Sequence, residues 1–317
     1  MESTQSIKRR IKAVINTAQI TKAMEMVSAN KMRRSQEAAL ASRPYALSAL
    51  TLLRELSRRA PLRPPLMERR EVKRTLVLIA AADKGLAGSL NSNVFRRFEK
   101  WLYGMSAEEK SSLGELRFAG VGKKAEDYLA RRGFGMEKAF VKFGDSIEVE
   151  EIVPVADFVI SGFLERAWDK ILIISTHFRT TLRQDVVTRE LLPVTEDAIS
   201  RTITELVPEY GKYSEKNNGG QGAEDGPGYS WEYLIEPAPL EVLTKLTEHL
   251  VKMAIYHLVL EANASEHSAR MVAMKNASDN ASDLKDELAL LYNKSRQAGI
   301  TREIAEITSG TEALNSN

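Results

Sequence analysis

The last quarter of the chain constrains the fold more than any other segment. After Pro239 there is no proline, and glycine occurs only at Gly299 and Gly310. Side chains that can line a helix seam step by three and four residues along this stretch, which is typical of a coiled coil. They are Leu243, Leu246, Leu250, Met253, His257, Leu260, Ala264, His267, Met271 and Met274, and after a break in register Leu284, Leu288 and Leu291. Residues 239–314 are therefore predicted to form one helix, roughly 110 Å long at 1.5 Å per residue.

The beginning of the chain predicts a second long helix over residues 4–58. Ser3 or Thr4 can cap its start, and no glycine precedes Gly85. Pro44 is a candidate kink, and the prolines at 61, 64 and 65 are expected to end the helix. Its apolar stripe consists of Ile7, Ile11, Val14 and Ile15, continued after a slight shift by Ile20, Met24 and Val27.

A helix this long must pack on another long helix or enter a partner. The simplest architecture pairs the two terminal helices antiparallel. Between them, short apolar runs at 75–82, 115–121, 137–143, 170–177 and 186–194 alternate with helical segments at 90–103, 122–132 and 148–166. Alternation of this kind indicates an α/β layer. The predicted fold class is α/β: a long antiparallel coiled coil of the N- and C-terminal helices with an inserted Rossmann-like α/β domain.

The same patterns predict four segments. Residues 1–60 form the N-terminal shaft helix, 70–207 the α/β domain, 208–237 a glycine-rich flexible extension that returns to the shaft, and 238–317 the C-terminal shaft helix. No run of 18 apolar residues occurs, so no membrane span is expected, and no signal peptide is recognised. The chain has no cysteine, which excludes disulfides and thiolate metal sites.

Charge is distributed unevenly along the chain. Residues 1–74 carry 17 Lys and Arg against 6 Asp and Glu, whereas the remainder carries 28 against 37. A basic arm of this kind either faces solvent or meets an acidic or phosphate-bearing partner. Nucleic acid is a weak alternative, because no aromatic side chain for stacking occurs before Tyr45.

An α/β layer also raises the possibility of a nucleotide-binding enzyme. The nearest approach to a phosphate-binding loop is Gly122-Lys123-Lys124, which lacks the hydroxyl for magnesium and is better explained as a helix start. The histidines, at 177, 249, 257 and 267, have no spacing typical of a zinc site. His257 and His267 fall on the predicted seam, and His177 is expected to be packed or facing the surface. We therefore predict no catalytic, cofactor-binding or metal-binding residues, and no cofactor.

Three groups of motifs carry a family resemblance. The first helix contains Asn16-Thr17, Ile20-Thr21-Lys22-Ala23-Met24 and Lys31-x-Arg33-Arg34. Asp83-Lys84-Gly85-Leu86-Ala87-Gly88 follows the first predicted strand, and the last helix contains Tyr292–Gln297 and Ile300–Ile307. These motifs resemble the gamma subunit of bacterial F-type ATP synthases. The resemblance is weak between about 105 and 240.

The resemblance implies a central-stalk rotor subunit that is not itself an enzyme. In that family the coiled coil stands inside a hexamer of alpha and beta subunits, and rotation couples ion flow through the membrane rotor to ATP synthesis and hydrolysis. The implied partners are the alpha and beta subunits, the epsilon subunit and the c-ring, with no nucleic acid. The implied location is peripheral, on the cytoplasmic face of the bacterial plasma membrane.

Several residues match family positions that contact the hexamer. Lys22 and Met24 lie near the acidic loop of beta in the family, and Arg270 is expected close to Met24. Polar contacts to beta near the tip are implied for Arg296, Gln297, Thr301 and Glu303. Asp83, Lys84 and Gly85 are implied to form a structural turn. The family's usual Gly-Ala-x-Ala ending is Gly310-Thr311-Glu312-Ala313 here, which makes the tip more polar.

The main rival to this interpretation is a non-rotary scaffold, a coiled coil that carries an α/β module. A generic scaffold would have no reason to contain the terminal motif over residues 292–307. An enzyme would require a phosphate-binding loop of a kind that the sequence does not contain.

Overall fold

A computed structural model describes residues 3–59, 63–144, 147–195, 198, 236 and 238–315. Both predicted terminal helices are present. Helix α1 spans Thr4–Arg59 and continues through Pro44, and it ends just before the predicted prolines. Helix α6 spans Pro239–Asn315 and begins with proline, the residue preferred at a first helical position. The predicted extension at 208–237 lies almost wholly outside the described residues, and so do the side chains of the polar tip.

Nine shorter elements lie between the long helices in the part of the chain that the structure describes. A short 3-10 turn at Pro65–Met67 precedes them. In chain order they are β1 (Arg74–Ala80), α2 (Leu90–Gly104), α3 (Ala107–Leu113), β2 (Glu115–Val121), α4 (Lys123–Arg132), β3 (Met136–Phe140), α5 (Val149–Leu164), β4 (Lys170–Thr180) and β5 (Arg183–Leu192). The five predicted strands and three predicted helices are confirmed with small changes of boundary, and α3 is an additional helix.

The five strands form one sheet in the order β3-β2-β1-β4-β5. The first four strands in this order are parallel, and β5 pairs antiparallel with β4 as a hairpin. Successive side chains of β1 point to opposite faces, and both faces are covered. Leu76 and Leu78 join a core with α5 and α6, whereas Val77 and Ile79 join a core with α2 and α4. This double coverage explains why the strands read as continuous apolar runs.

The chain divides into two compact units. The helix-pair unit consists of Met1–Ala29 and Arg270–Asn317, and the sheet unit consists of Asn30–Ala269. Each unit therefore contains part of both long helices. The predicted segments follow the ends of helices and strands instead, and they stand as a proposal about how the chain is organised.

The long helices pack antiparallel in the sheet unit. The Ser35 hydroxyl donates to Asn263 Oδ1 at 2.8 Å. Ten residues further along α1, the Tyr45 ring meets the His249 ring edge-on, with 5.5 Å between centroids. Most of the predicted seam of α6 between 243 and 274 is buried, including both His257 and His267. This confirms the predicted pairing of the two terminal helices.

The predicted stripe of α1 is wrong in its second half. Ile20 and Val27 are 61% and 50% exposed. The buried positions are instead Thr21, Ser28 and Ser35, which recur every seven residues. A hydroxyl can occupy a buried helix seam because it can donate to its own helix, as Thr21 Oγ1 does to Thr17 O at 2.9 Å.

Candidate partner-binding surface

The helix-pair unit contains all seven residues that the sequence places at contacts with other subunits. Within this unit the two helices meet where the Ser278 hydroxyl donates to Ala18 O at 3.5 Å. The described residues buried along the two helices include Ile7, Ala281 and Leu288. Leu284 and Leu291, predicted on the seam, are exposed instead, so the seam continues through small residues and alternate leucines.

A set of large apolar side chains stays exposed on this unit. Besides Ile20 and Val27 on α1, it includes Met26, Leu290, Ile300, Ile304 and Ile307. Scattered apolar side chains are ordinary on protein surfaces, but many on two neighbouring helices indicate an interaction surface. We call the exposed apolar side chains of α1 and α6 in this unit the apolar sleeve surface.

The predicted contact residues on α1 border this surface. Lys22 is exposed, and its ammonium pairs with Glu25 at 3.0 Å. Met24 is half-buried. A shallow groove beside them has basic side chains from both helices, since Lys22 and Lys285 both line it together with Ile15, Met26 and Ala281. The groove thus combines apolar walls with two lysines, each paired with a carboxylate of its own helix, since Lys285 pairs with Asp286 at 3.0 Å.

Arg270 is buried and not a solvated helix charge, because only 6% of its surface is exposed. Its proximity to Met24 stays a prediction, and the helix register shows only which residues lie opposite each other. Ala18 and Ser278 are in contact. Met24 lies six residues after Ala18 on α1, and Val272 lies six residues before Ser278 on α6. Arg270 is therefore within a helical turn of the residue opposite Met24.

The remaining predicted contact residues lie together near the end of α6. Arg296, Gln297, Thr301 and Glu303 are all exposed. The Thr301 hydroxyl donates to Gln297 O at 3.0 Å, one helical turn earlier. These polar side chains lie among the exposed Ile300, Ile304 and Ile307, so this end of the surface is mixed in character.

The predicted turn lies in the sheet unit, at the carboxyl end of β1. Asp83 accepts backbone N–H groups from Lys123 at 2.7 Å, Lys142 at 3.3 Å and Phe143 at 2.9 Å. Lys123 is the first residue of α4, so the Asp83 carboxylate sits at a helix N-terminus. The carboxylate of Asp83 thus ties the end of β1 to the start of α4 and to the segment after β3.

Gly122, just before α4, occupies a position where any side chain would clash with the backbone. Gly122 has a φ of 92°, and a Cβ there would lie 1.9 Å from Ala81 O. The close approach joins the end of β1 to the start of α4. Gly122-Lys123-Lys124 is therefore a helix start packed against the Asp83 turn.

The comparisons with known proteins agree over the full length. A family model described as ATP synthase matches residues 3–314. The ATP synthase gamma chain of Roseiflexus castenholzii is 41% identical, with 99% of each chain covered. The gamma chain of Chloroflexus aurantiacus is 40% identical, with 100% of each chain covered. The chain belongs to the ATP synthase gamma-chain family.

Solved structures show that the fold is the gamma-family fold. A chain in a structure of the OSCP, F1 and c-ring of Euglena gracilis mitochondrial ATP synthase aligns with a TM-score of 0.63 at 18% identity, covering 99% of this chain and 95% of that one. A chain in the central stalk and c-ring of the Tetrahymena thermophila enzyme aligns with a TM-score of 0.55 at 23% identity, covering 82% and 99%. Among the described helices of this gamma-family chain, none has both the length and the apolar character needed to cross a bilayer.

Two polar clusters of the gamma-family chain were not anticipated from its sequence. Arg70 pairs with Asp169 at 2.7 Å, and the same guanidinium donates to the carbonyls of Phe163 and Trp168. Burial opposes the ionisation of Asp169, but the backbone N–H groups of Lys73 and Arg74, together with Arg70, hold the pKa of its carboxyl below the ordinary value. The cluster fastens the segment before β1 to the loop before β4.

The second cluster joins the β4–β5 hairpin to α6. His177 on β4 and Arg189 on β5 both approach Glu261 on α6. No local sequence signal could reveal either cluster, because the partners lie on separate elements and come together only in the folded sheet unit.

Proposed function

We propose that this chain is the central-stalk rotor subunit of a bacterial F-type ATP synthase. In this role it couples ion flow through the membrane rotor to ATP synthesis and hydrolysis on the alpha/beta hexamer. The observation that carries the proposal is the apolar sleeve surface on an antiparallel pair of long helices. Two helices that leave this much apolar surface in water are suited to a surrounding protein partner.

The charges of the surface fit a partner with acidic groups. Lys22 and Lys285 line the groove between the helices, and its apolar walls can take the uncharged part of the same segment. We assign Lys22, Met24 and Arg270 to contacts near the middle of the shaft. We assign Arg296, Gln297, Thr301 and Glu303 to contacts near its end. Charge complementarity of this kind sets orientation and partner choice more than it sets affinity.

The chain contributes no catalytic group in this proposal. The helix start at Gly122-Lys123-Lys124, the nearest approach to a phosphate-binding loop in the sequence, is capped by the chain's own Asp83 carboxylate. The nucleotide chemistry belongs to the alpha and beta subunits. We expect the purified chain to hydrolyse no ATP, and turnover that co-purifies with the chain and disappears in an Asp83→Asn variant would contradict this assignment.

The other partners follow from the rotor role. The epsilon subunit and the c-ring would bind the sheet unit and the neighbouring helix ends, and this places the chain peripherally on the cytoplasmic face of the bacterial plasma membrane. The structurally similar chains come from mitochondrial ATP synthase structures described as a central stalk with c-ring, a rotor, and OSCP, F1 and c-ring.

Reconstitution tests the proposal. The chain is mixed with separately purified alpha and beta subunits, and the mass of the complex and its ATPase rate are measured. A complex containing one copy of the chain in an alpha/beta hexamer, with ATPase activity, is the expected result. A well-folded chain that does not assemble would favour a non-rotary scaffold.

A single substitution tests whether Met24 lies at a moving contact with the hexamer. Met24→Lys adds a positive charge beside Lys22. It should reduce proton pumping per ATP hydrolysed in the assembled complex, with a comparatively small effect on the free energy of unfolding. The matched control is Met105→Lys at the end of α2, in the sheet unit. Unchanged pumping in Met24→Lys would remove Met24 from the set of contact residues.

A further inference from the structure

The turn of the β4–β5 hairpin exposes a leucine. Strand β4 ends at Thr180 and β5 begins at Arg183, so the turn consists of Thr181 and Leu182. Leu182 is 82% exposed, more than any other large apolar side chain among the described residues. A single exposed leucine is ordinary on a protein surface, so its exposure alone indicates nothing. Leu182 is distinguished by the way in which its turn is built.

The turn lacks the residues that two-residue hairpin turns prefer. Such turns favour Asn-Gly, Asp-Gly or a first glycine, because one or both of their central residues need a positive φ. Here the central residues are Thr181 and Leu182, and neither has a positive φ. A local sequence that disagrees with the structure it adopts is expected mainly at functional sites. A position that ordinarily holds glycine or asparagine thus holds an exposed leucine.

Side chains from α6 and β5 hold this turn. The Ser268 hydroxyl on α6 donates to Thr181 O at 2.7 Å. The Gln184 amide on β5 donates to the same carbonyl at 2.9 Å and lies 3.4 Å from Ser268 Oγ. Ser268 has no exposed surface, so water competes little for these bonds. All of these residues belong to the sheet unit, and the network fixes the backbone that presents Leu182.

Two arginines flank the leucine in the chain. Arg179 and Arg183 bond to the carboxylate of Asp185 at 2.8 and 3.1 Å. Residues 179–185 therefore contain two cations against one anion, which gives the tip a net positive charge. A complementary partner surface is apolar where it receives the leucine and acidic at its rim, since charges at the edge of a contact set its orientation.

The hairpin tip lies beside the part of α6 that leaves the sheet unit. His177 on β4 lies 3.0 Å from Glu261 on α6, and Thr181 meets Ser268. Residue numbers rise together along both elements, so the strand and the helix run in the same direction. The sheet unit ends one residue after Ser268, and Arg270 follows. The residues of α6 that we assign to the alpha/beta hexamer all lie beyond this point of the helix, which favours the hexamer as the partner of the tip.

We propose that Leu182 is an anchor that inserts into an apolar pocket, bordered by an acidic group, on the alpha/beta hexamer. Ser268 and Gln184 are positioning residues, because they fix the turn that presents the leucine. The anchor role rests on the proposed rotor function and adds to it a contact outside the two long helices. A side chain whose backbone is already held in place loses little conformational freedom on binding, which favours affinity.

Binding of full-length variants to the alpha and beta subunits tests the anchor. Leu182→Ser should weaken binding about tenfold, since a leucine loses its burial in the complex. Leu182→Met keeps an apolar side chain of similar volume and should bind within about twofold of the wild type. The matched control is Tyr103→Ser, at a position 69% exposed on α2, which should leave the affinity unchanged. Isothermal titration measures the affinities, and urea denaturation should show equal stability of Leu182→Ser and the wild type.

A double-mutant cycle tests the positioning role of α6. Ser268→Ala removes the hydroxyl that holds Thr181 O, and it should weaken binding roughly threefold in the wild-type background. In the Leu182→Ser background the same substitution should have no effect on binding, because the anchor that it positions is gone. Hydrogen exchange of the amides in residues 180–184 should be faster in Ser268→Ala. Equal effects of Ser268→Ala in both backgrounds would overturn the positioning role.

The titrations separate a failure of the anchor from a failure of the rotor assignment. Unchanged affinity of Leu182→Ser, with a wild-type chain that binds alpha and beta, would overturn the anchor and leave the rotor assignment standing. A folded wild-type chain that does not bind alpha and beta would overturn both. A loss in Leu182→Ser that is confined to binding of the epsilon subunit would overturn the assignment of the tip to the hexamer.

Discussion

In the sheet unit the strands leave no apolar side chain exposed, whereas in the helix-pair unit the seam contains hydroxyls and several isoleucines are exposed. Leu76, Val77, Leu78 and Ile79 on β1 have no exposed surface. By contrast, Ile20 on α1 is largely exposed while its neighbour Thr21 is buried. The difference indicates that the sheet unit is stabilised by its own core. In the helix-pair unit, exposed apolar side chains are available for contact with a partner.

The largest expected effect comes from the core of the sheet unit. Phe163 on α5 is fully buried, so Phe163→Ala should lower the free energy of unfolding by about 4 kcal/mol through lost transfer energy and an unfilled cavity. Urea denaturation followed by circular dichroism measures it. The matched control is Ile304→Ala in the helix-pair unit, which should change stability by less than about 0.5 kcal/mol. Equal losses in the two variants would break the contrast between the units.

The buried ion pair of the sheet unit should give the next largest effect. Asp169→Asn leaves the Arg70 guanidinium with a neutral neighbour and should cost about 3 kcal/mol in unfolding free energy. The double variant Arg70→Met with Asp169→Leu should be less destabilised than Asp169→Asn, because no buried charge is left without its partner. If the double variant lost as much unfolding free energy as the two single substitutions added together, Arg70 and Asp169 would not be energetically coupled.

Acid should act on the same cluster. The folded-state pKa of Asp169 is below its ordinary value of 3.8, so the carboxylate stabilises the fold above about pH 4 and this stability is lost as the pH falls through the lower folded-state pKa. The urea concentration at the unfolding midpoint, measured from pH 7 to pH 3, should therefore decrease once the pH is below about 4. The fall should be smaller in Asp169→Asn, and an identical profile in the variant would rule out this carboxyl as a contributor.

The smallest effect on stability is expected on the apolar sleeve surface. Ile20→Ser with Val27→Ser should change the free energy of unfolding by about 0.5 kcal/mol or less for each substitution. Binding to the alpha and beta subunits should weaken by about tenfold, because two apolar side chains lose their burial in the complex. Isothermal titration with the reconstituted hexamer measures the second quantity. A large loss of stability without any loss of affinity would reverse the interpretation.

Much of the fold could be predicted from local patterns. The scarcity of glycine and proline, together with side chains spaced by three and four residues, predicted both long helices, and apolar runs predicted the five strands of the sheet. Helix α3 was missed although Ser106 and Glu109 have the spacing of a capping box, and both reciprocal hydrogen bonds of that box are formed. The 104–114 segment lacks an apolar stripe long enough to indicate a helix by periodicity alone.

The seam of α1 shows why the rest could not be predicted. Hydrophobicity favoured Ile20 and Val27 as the buried stripe, but burial in a helix pair depends on which side fits closely against the other helix. Thr21 and Ser28 are both small and buried, and the Thr21 hydroxyl donates within its own helix, so these residues can occupy the seam. A helix that packs against a second helix and also binds a partner needs apolar side chains for both contacts. The sequence does not show which apolar residues serve which contact, whereas the folded helix pair does.

The exposure of Val27 gives the most direct test of the central claim. The native chain has no cysteine, so Val27→Cys introduces a single thiol on the apolar sleeve surface. Its rate of labelling by a maleimide is measured in the free chain and in the complex with alpha and beta subunits, with Tyr103→Cys, at an exposed position on α2, as the matched control. The account predicts rapid labelling of both thiols in the free chain and at least tenfold slower labelling of Val27→Cys alone in the complex. Equal labelling of Val27→Cys in the free chain and in the complex would contradict it.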